Sequence, residues 1–359
     1  MNRIVIKIGS QILTRPDGTL DFTMISSIVD QVIAVRKAGY QVILVSSGAV
    51  ACGRGIFRNS HRYPKLDAIR QRQLYSAVGQ VRLIGLYSRL FNNWNTEIGQ
   101  VLTMKESFST RREYLTQREC MEVMLANDVV PIVNENDTTS VTELMFTDND
   151  ELSGLVASMM DADMLLILSN IDGIYNGSPK KAGTSVIRRI TPDDDLSLYI
   201  QTEKSEFGRG GMLTKCSIAR KVADEGIRVV IANGKKANII SDICLGNAEA
   251  VCTEFVPRSE AVSSVKKWIA HSSDFTKGSV IVDARAEQTL KGRQAVSLLM
   301  VGVSAVKGDF EEGDIISICN SAGKAIAIGK SSYNASEARG LIGKHDCRPL
   351  VHYDYLYLV

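Results

Sequence analysis

Most residue patterns that announce a metal, a redox centre or a side-chain nucleophile are missing from this chain. The four histidines are dispersed, and the seven cysteines (52, 120, 216, 244, 252, 319 and 347) include no C-x-x-C pair. An odd, scattered set argues against a disulfide framework and a zinc site, and reads as buried thiols. No apolar run approaches the ~18 residues needed to span a bilayer. The start, Met1 to Lys7, looks like a strand, without the apolar stretch or cleavage site of a signal peptide. A cytoplasmic protein with no membrane partner is therefore expected. Neither a G-x-x-x-x-G-K-S/T loop nor a G-x-G-x-x-G after a strand occurs, so any phosphate site must be built another way. The net charge of +2 selects no partner.

What is present is ordinary globular composition, 45% hydrophobic and 23% charged, in 359 residues, which suggests two folded domains. Ile4–Ile8 and Val42–Val45 are short, β-branched apolar runs typical of buried parallel strands. Between them Asp21 precedes Ile25, Ile28, Val29, Val32 and Ile33 at helical spacing, closed by Gly39, which makes a βαβ unit. Ile98–Leu102, Val129–Val133, Met164–Leu168 and Ile227–Ala232 are further strands. Thr110 and Glu113 open a helix with a capping box, and helical patterns follow near Asp148–Met160 and Met212–Glu225. Pro131 places its run at a sheet edge or a strand end. This alternation predicts an α/β fold, an open, mostly parallel sheet sandwiched by helices, with ligands at the carboxyl ends of the strands. After residue 272 short β runs separated by glycine turns predict a second, smaller, mainly-β domain. The expected division is 1–257, a linker at 258–274 that includes a connecting helix near Trp268, and 275–359.

Candidate chemistry sits at the strand ends. Lys7-Ile8-Gly9-Ser10 could set a point charge on a phosphate, with Gly9 letting backbone approach, although a lysine at a strand end is usually just solvated. Ser46-Ser47-Gly48-Ala49 offers backbone N–H groups to an anion, or is a plain helix cap. Asn134-Glu135-Asn136-Asp137 and Asp148-Asn149-Asp150 could bind an ammonium or orient lysines, or simply cap loops. Gly208-Arg209-Gly210-Gly211-Met212-Leu213-Thr214-Lys215 is a glycine-rich loop entering a helix, a geometry suited to polyphosphate. Arg54, Arg58, Arg62, Lys65, Arg70 and Arg72 form a basic stretch that reads as a solvated loop or subunit contact; nucleic acid is not expected there.

Together and in this order, these segments resemble the amino acid kinase family, joined by Ala77-Val78-Gly79-Gln80 and Asn170-Ile171-Asp172-Gly173. Asn134-Glu135-Asn136-Asp137 followed by Asp148-Asn149-Asp150 resembles its glutamate 5-kinase branch. Asp283-Ala284-Arg285-Ala286, Ser297 to Val303 and Val351-His352-Tyr353-Asp354 resemble a PUA module. Three departures stand out: Ser169-Asn170 where the family has Thr-Asp, Arg209 where it has a small residue, and Ala-Arg-Ala after Asp283 where it prefers Glu-Gly-Ala.

The resemblance implies ATP and Mg²⁺ as cofactors and L-glutamate as the phosphoryl acceptor. It implies Lys7, Lys215 and Asp150 as catalytic residues, and Ser47, Asp137 and Asn149 as glutamate-binding ones. Lys7, Ser169, Asn170, Arg209, Gly210, Gly211, Met212, Leu213, Thr214 and Lys215 would meet the nucleotide, and no residue is assigned to a resident metal. It further implies feedback by L-proline, glutamate-5-semialdehyde dehydrogenase as pathway partner, and a homo-oligomer. The competing readings are an amino acid kinase for aspartate, N-acetylglutamate or uridylate, and an RNA-binding or regulatory protein on an inactive kinase fold. The asparagine-rich motif and the PUA-like tail count against the first, and the presence of both lysines against the second.

Overall fold

The computed structural model describes residues 2–58, 66–139, 146, 148–177, 183–195, 212–258, 264–272, 275–292 and 296–359. They belong to two compact units, Met1–Lys105 with Thr116–Ala261, and Glu106–Leu115 with Val262–Val359.

The first unit runs β1 (Arg3–Ile8), α1 (Ser10–Leu13), α2 (Phe22–Lys37), β2 (Gln41–Ser46), α3 (Ala49–Phe57), α4 (Ala68–Asn92), β3 (Ile98–Thr103), α5 (Arg111–Ala126), β4 (Val130–Glu135) and α6 (Asn149–Met159). It continues through β5 (Met164–Ser169), β6 (Arg189–Ile190), α7 (Met212–Asp224), β7 (Arg228–Asn233), α8 (Ile239–Leu245) and β8 (Cys252–Phe255). The first turn of α5 groups with the second unit.

The eight strands form one sheet in the order β3-β4-β2-β1-β5-β7-β8-β6. Every neighbouring pair is parallel except β7 with β8. Parallel strands covered on both faces should be apolar throughout, and Ile4, Val5, Ile6 and Ile8 of β1 are all buried, as is every residue of β5. Helix α2 covers one face with Ile25, Ile28, Val29, Val32 and Ile33. Its start is set by Asp21, whose carboxylate accepts from the Met24 N–H at 3.2 Å, and its end by Gly39 at φ 94°. From β1 the chain moves to β2 on one side and later returns as β5 on the other, so a topological switch point lies over the carboxyl end of β1.

The sheet-edge expectation for Pro131 fails, because β4 lies between β3 and β2. Val130 donates its N–H to Glu97 in the chain leading into β3, so the absent N–H of Pro131 falls on the β2 side. There the ladder begins only at Ile132, opposite Leu44. Proline is tolerated because it precedes the pairing it could not make.

In the second unit α9 (Ser264–Ala270) is followed by β9 (Gly278–Val282), α10 (Ala284–Leu290), β10 (Val303–Gly308), β11 (Ile315–Cys319), β12 (Ala325–Lys330), α11 (Ala335–Leu341) and β13 (Leu356–Leu358). The sheet order is β10-β9-β11-β12-β13, over a core that includes Val280, Val282, Met300, Ile316, Ile318 and Leu350. The helix expected near Trp268 is α9. Its indole N–H donates to the Phe108 carbonyl at 3.0 Å, which ties the Glu106–Leu115 segment to this unit.

Helices α3 and α4 approach so closely that two glycines are obligatory. A Cβ on Gly79 would lie 1.8 Å from the Ala49 carbonyl oxygen, and one on Gly53 would lie 1.9 Å from that of Tyr75. Backbone cannot yield as a side chain can, so Gly79→Ala is expected to cost ~1–3 kcal/mol or more through forced separation of the helices. A urea midpoint unchanged from wild type would show that the helices are not held in contact in solution.

Candidate active site

The switch point gathers one buried charge cluster. Lys7 is the penultimate residue of β1, and although it is a lysine only 6% of its surface is exposed. Asp148 caps α6 by accepting from the N–H groups of Asp150 (2.9 Å) and Glu151 (3.2 Å), which fixes Asp150 in the first turn of that helix. Asp150 is wholly buried. One carboxylate oxygen meets Lys7 Nζ at 2.5 Å and the other meets Lys215 Nζ at 2.7 Å.

Lys215 arrives on the first turn of α7, and Gly154 lets that helix come near. A Cβ there would stand 3.0 Å from Ile218 and 3.1 Å from Val222. Burial alone would raise the Asp150 carboxyl, but the two ammonium groups outweigh it and hold it below the usual carboxylate range. Asp148 moves the other way, raised by burial and by the negative charge of Asp150. Two cations against one anion leave Lys7, Asp150 and Lys215 with a positive surplus. That surplus sits beside the N-terminus of α7, an arrangement that attracts a polyanion.

A polar network extends from the ends of β2 and β4. Asn149 donates both amide hydrogens, to the Ser46 carbonyl (3.2 Å) and to Asn134 Oδ1 (2.9 Å). Asn134 in turn donates to Gln80 at 2.9 Å, and the Ser46 hydroxyl lies 3.1 Å from that of Tyr87. What Asn149 can offer a ligand is its carbonyl oxygen, an acceptor suited to an ammonium. Ser47 continues the β1–β2 ladder by donating its N–H to Ile8 at 3.0 Å, and Gly48 turns the chain into α3 at φ 105°. Asp137, just past β4, is buried and accepts from Arg72 Nε (2.8 Å), Arg72 Nη2 (2.5 Å) and the Ser76 hydroxyl (3.1 Å). Glu135 lies on the same guanidinium, 3.2 Å from Nη2, and accepts the Phe146 N–H at 3.1 Å. Burial, reinforced by the charge of Asp137, pushes the Glu135 carboxyl up to about 7.

On the other side of β1, Ser169 ends β5 and accepts the Gly234 N–H through its carbonyl at 2.9 Å, while Asn170 follows it. Asn233, at the end of β7, donates to Asp172 at 2.8 Å and accepts from the Lys235 N–H at 3.0 Å. Met212, Leu213 and Thr214 form the opening turn of α7 with Lys215. Arg209, Gly210 and Gly211 lie outside the described residues.

The chain that folds into this arrangement, two lysines held by a buried aspartate at the carboxyl ends of a parallel sheet, is similar to known proteins. The model of the amino acid kinase family matches residues 2–233, and that of the PUA domain matches residues 278–352. The chain belongs to the amino acid kinase family. A glutamate 5-kinase from Bacteroides thetaiotaomicron is 57% identical over 99% of this chain and 98% of its own. One from Chlorobaculum tepidum is 45% identical over 99% of this chain and 97% of its own. Among solved structures, the UMP kinase of Ureaplasma parvum superposes with a TM-score of 0.50 at 18% identity, covering 71% of this chain and 98% of that one. That likeness speaks for the fold alone.

The structure brings Lys7, Asp150 and Lys215 into contact and joins Asn149 to the end of β2. It also moves Arg72 out of the solvated stretch to which its neighbours assigned it. The side chain turns inward from α4 onto Asp137 and Glu135, whereas Arg54, Arg58 and Arg70 are exposed. The carboxyl end of β7, Asn233 to Lys236, lies at a strand end as the other candidates do. The cysteines are free thiols, but only Cys52, Cys216 and Cys244 are buried; Cys120 is exposed on α5. Among the described residues no cluster of three or more acidic, histidine or cysteine side chains is placed to hold a metal.

Glu135 sets a pH dependence. Its folded value is above the ordinary 4.5, so the stability it contributes is fully present below about pH 4.5 and is lost as pH rises through about 7. Glu135→Gln should therefore match wild type in Tm near pH 4 and gain on it between about pH 4.5 and 7. Parallel Tm profiles across that range would show that Glu135 is not buried as a neutral acid.

Proposed function

We propose that this enzyme transfers the γ-phosphoryl group of ATP to the γ-carboxylate of L-glutamate, giving γ-glutamyl 5-phosphate, the first step of proline biosynthesis. The observation that carries the reading is the buried Lys7–Asp150–Lys215 cluster in a chain that shares 57% of its residues with a glutamate 5-kinase. The γ-carboxylate is ionised at neutral pH and is already a nucleophile, so no general base is required. One of its oxygens forms a bond to the γ-phosphorus as the bond from that phosphorus to the β,γ-bridging oxygen breaks, and ADP leaves with the electron pair. The protein's task is to hold two anions in line and to offset charge on the transferring group.

Lys7 and Lys215 supply that charge, and Asp150 keeps both ammonium groups converging on one point. Ser47, Asp137 and the Asn149 carbonyl oxygen receive the amino acid. Ser169, Asn170 and the 209–215 segment receive the nucleotide, with Arg209 adding a cation near the phosphates. Mg²⁺ enters as part of the nucleotide substrate, its ligands mainly phosphate oxygens and water, because each oxygen of Asp150 is already spent on a lysine.

An acyl phosphate hydrolyses readily in water, so we assign its consumption to glutamate-5-semialdehyde dehydrogenase and place both steps in the cytoplasm. No helix among the described residues is long and apolar enough to cross a membrane. L-Proline is the expected feedback inhibitor at the amino-acid site. A homo-oligomer is the expected assembly, and exposed apolar side chains such as Val81 on α4 are available to such a contact.

Trapping the product with hydroxylamine tests the reading. Hydroxamate should form with glutamate, Mg²⁺ and ATP, and far more slowly when aspartate or N-acetylglutamate replaces glutamate; equal rates with all three acceptors would contradict it. Lys215→Met keeps the length of the side chain and removes its charge, and should lower kcat by ~10²-fold. A variant that retains most of its kcat would remove Lys215 from the transfer step.

A further inference from the structure

The proposed amino-acid site has a charge imbalance. Zwitterionic L-glutamate brings an α-ammonium and an α-carboxylate in addition to the γ-carboxylate that reacts. Ser47, Asp137 and Asn149 supply one anion and two neutral groups, which complement the ammonium alone. Lys7 and Lys215 are committed to Asp150 and the phosphoryl group. A separate cation is needed for the α-carboxylate.

Arg72 is in place to supply it. It projects from the first turns of α4, directly after the Asp67 cap, and its guanidinium touches Asp137 itself. Nε and Nη2 serve Asp137 and Glu135, while Nη1 donates to none of the described residues, and 28% of the side chain remains exposed. A planar guanidinium can hold one carboxylate along one edge and present another edge to a second, a geometry that lysine cannot reproduce. Asp137, whose other oxygen is held by Ser76, is thereby oriented with its charge only partly spent.

We infer that Arg72 is a specificity-determining residue that binds the α-carboxylate of the acceptor amino acid while its bond to Asp137 orients that carboxylate for the α-ammonium. The inference rests on the glutamate kinase reading above and extends it to a residue which that reading did not use. Burial pushes the Glu135 carboxyl up to about 7, so it takes up less of the Arg72 charge than an ordinary carboxylate would, and Arg72 and Asp137 present opposite charges to the two charges of the substrate backbone. Selectivity for a free α-carboxylate then resides in one side chain.

The test compares two acceptors that share the γ-carboxylate and the α-ammonium: L-glutamate and its α-amide, isoglutamine. Hydroxamate formation is measured with each for wild type, Arg72→Gln and Arg72→Lys. Wild type should prefer glutamate strongly. Arg72→Gln should lose ~10²-fold in kcat/KM on glutamate and little on the α-amide, so that the preference collapses, with the KM for ATP unchanged. Arg72→Lys keeps the charge without the planar fork and should retain only part of the preference, which keeps the comparison available if the glutamine variant does not fold. Wild-type preference ratios in a folded Arg72 variant, or equal losses on glutamate and ATP, would overturn the assignment while leaving the kinase reading intact. A wild-type enzyme that makes no hydroxamate from glutamate would overturn both.

Discussion

A carboxylate with no solvent exposure must be neutral or paired, and Asp150 is paired twice. That constraint organises the first unit. Asp150 can occupy its position only because Asp148 starts α6 where it does, because Lys7 is buried in a strand whose Ile4, Val5, Ile6 and Ile8 are apolar, and because Gly154 lets α7 come near enough to deliver Lys215. Removing Asp150 would leave two ammonium groups uncompensated against each other, so the cluster matters for the fold as well as for the chemistry. The same tension leaves two ammonium groups converging on one point, which in the proposed reaction is the place of the transferring phosphoryl group. The charges are ordered before substrate arrives, which is how preorganised electrostatics lowers a barrier.

Much of the fold was legible because its signals are local. Buried parallel strands read as short β-branched runs, and β1, β2, β5 and β7 appear where such runs stand. Asp21 and Gly39 mark the ends of α2 through capping and a left-handed turn that the residues themselves prefer. Pro131 left a sheet edge and a strand end open, and the strand end holds: the rule concerns the missing N–H, and which neighbour that N–H would have faced depends on strand order, which is a tertiary fact. The assignment of the Glu106–Leu115 segment to the second unit is likewise invisible in sequence, since it rests on the long-range bond between Trp268 and Phe108.

The site divides in the same way. Lys7, Asp150 and Lys215 fall in recognisable motifs, and only the distances had to be learned. Arg72 lies in a run of exposed basic residues whose composition suggests a solvated surface. Nothing local distinguishes it from Arg70, two positions earlier. The distinction comes from helical geometry: Arg72 and Ser76, four residues apart, share the face of α4 that meets Asp137, whereas Arg70 faces away. Glu135 stands in a motif that predicts no separate role for it, because its elevated value follows from burial beside Asp137, which no spacing reveals.

The central claim is that an oxygen of the γ-carboxylate becomes bonded to the transferred phosphorus, between charges fixed by Asp150. It is tested most directly by following oxygen. Glutamate labelled with oxygen-18 at both γ-carboxylate positions is turned over with ATP and Mg²⁺ in the presence of hydroxylamine, which releases phosphate by attack at carbon, and the phosphate is weighed by mass spectrometry. Phosphorylation of the carboxylate predicts a single heavy oxygen in each phosphate released, carried from the carboxylate through the new P–O bond. Phosphate free of the label, formed at the same rate as hydroxamate, would contradict the account.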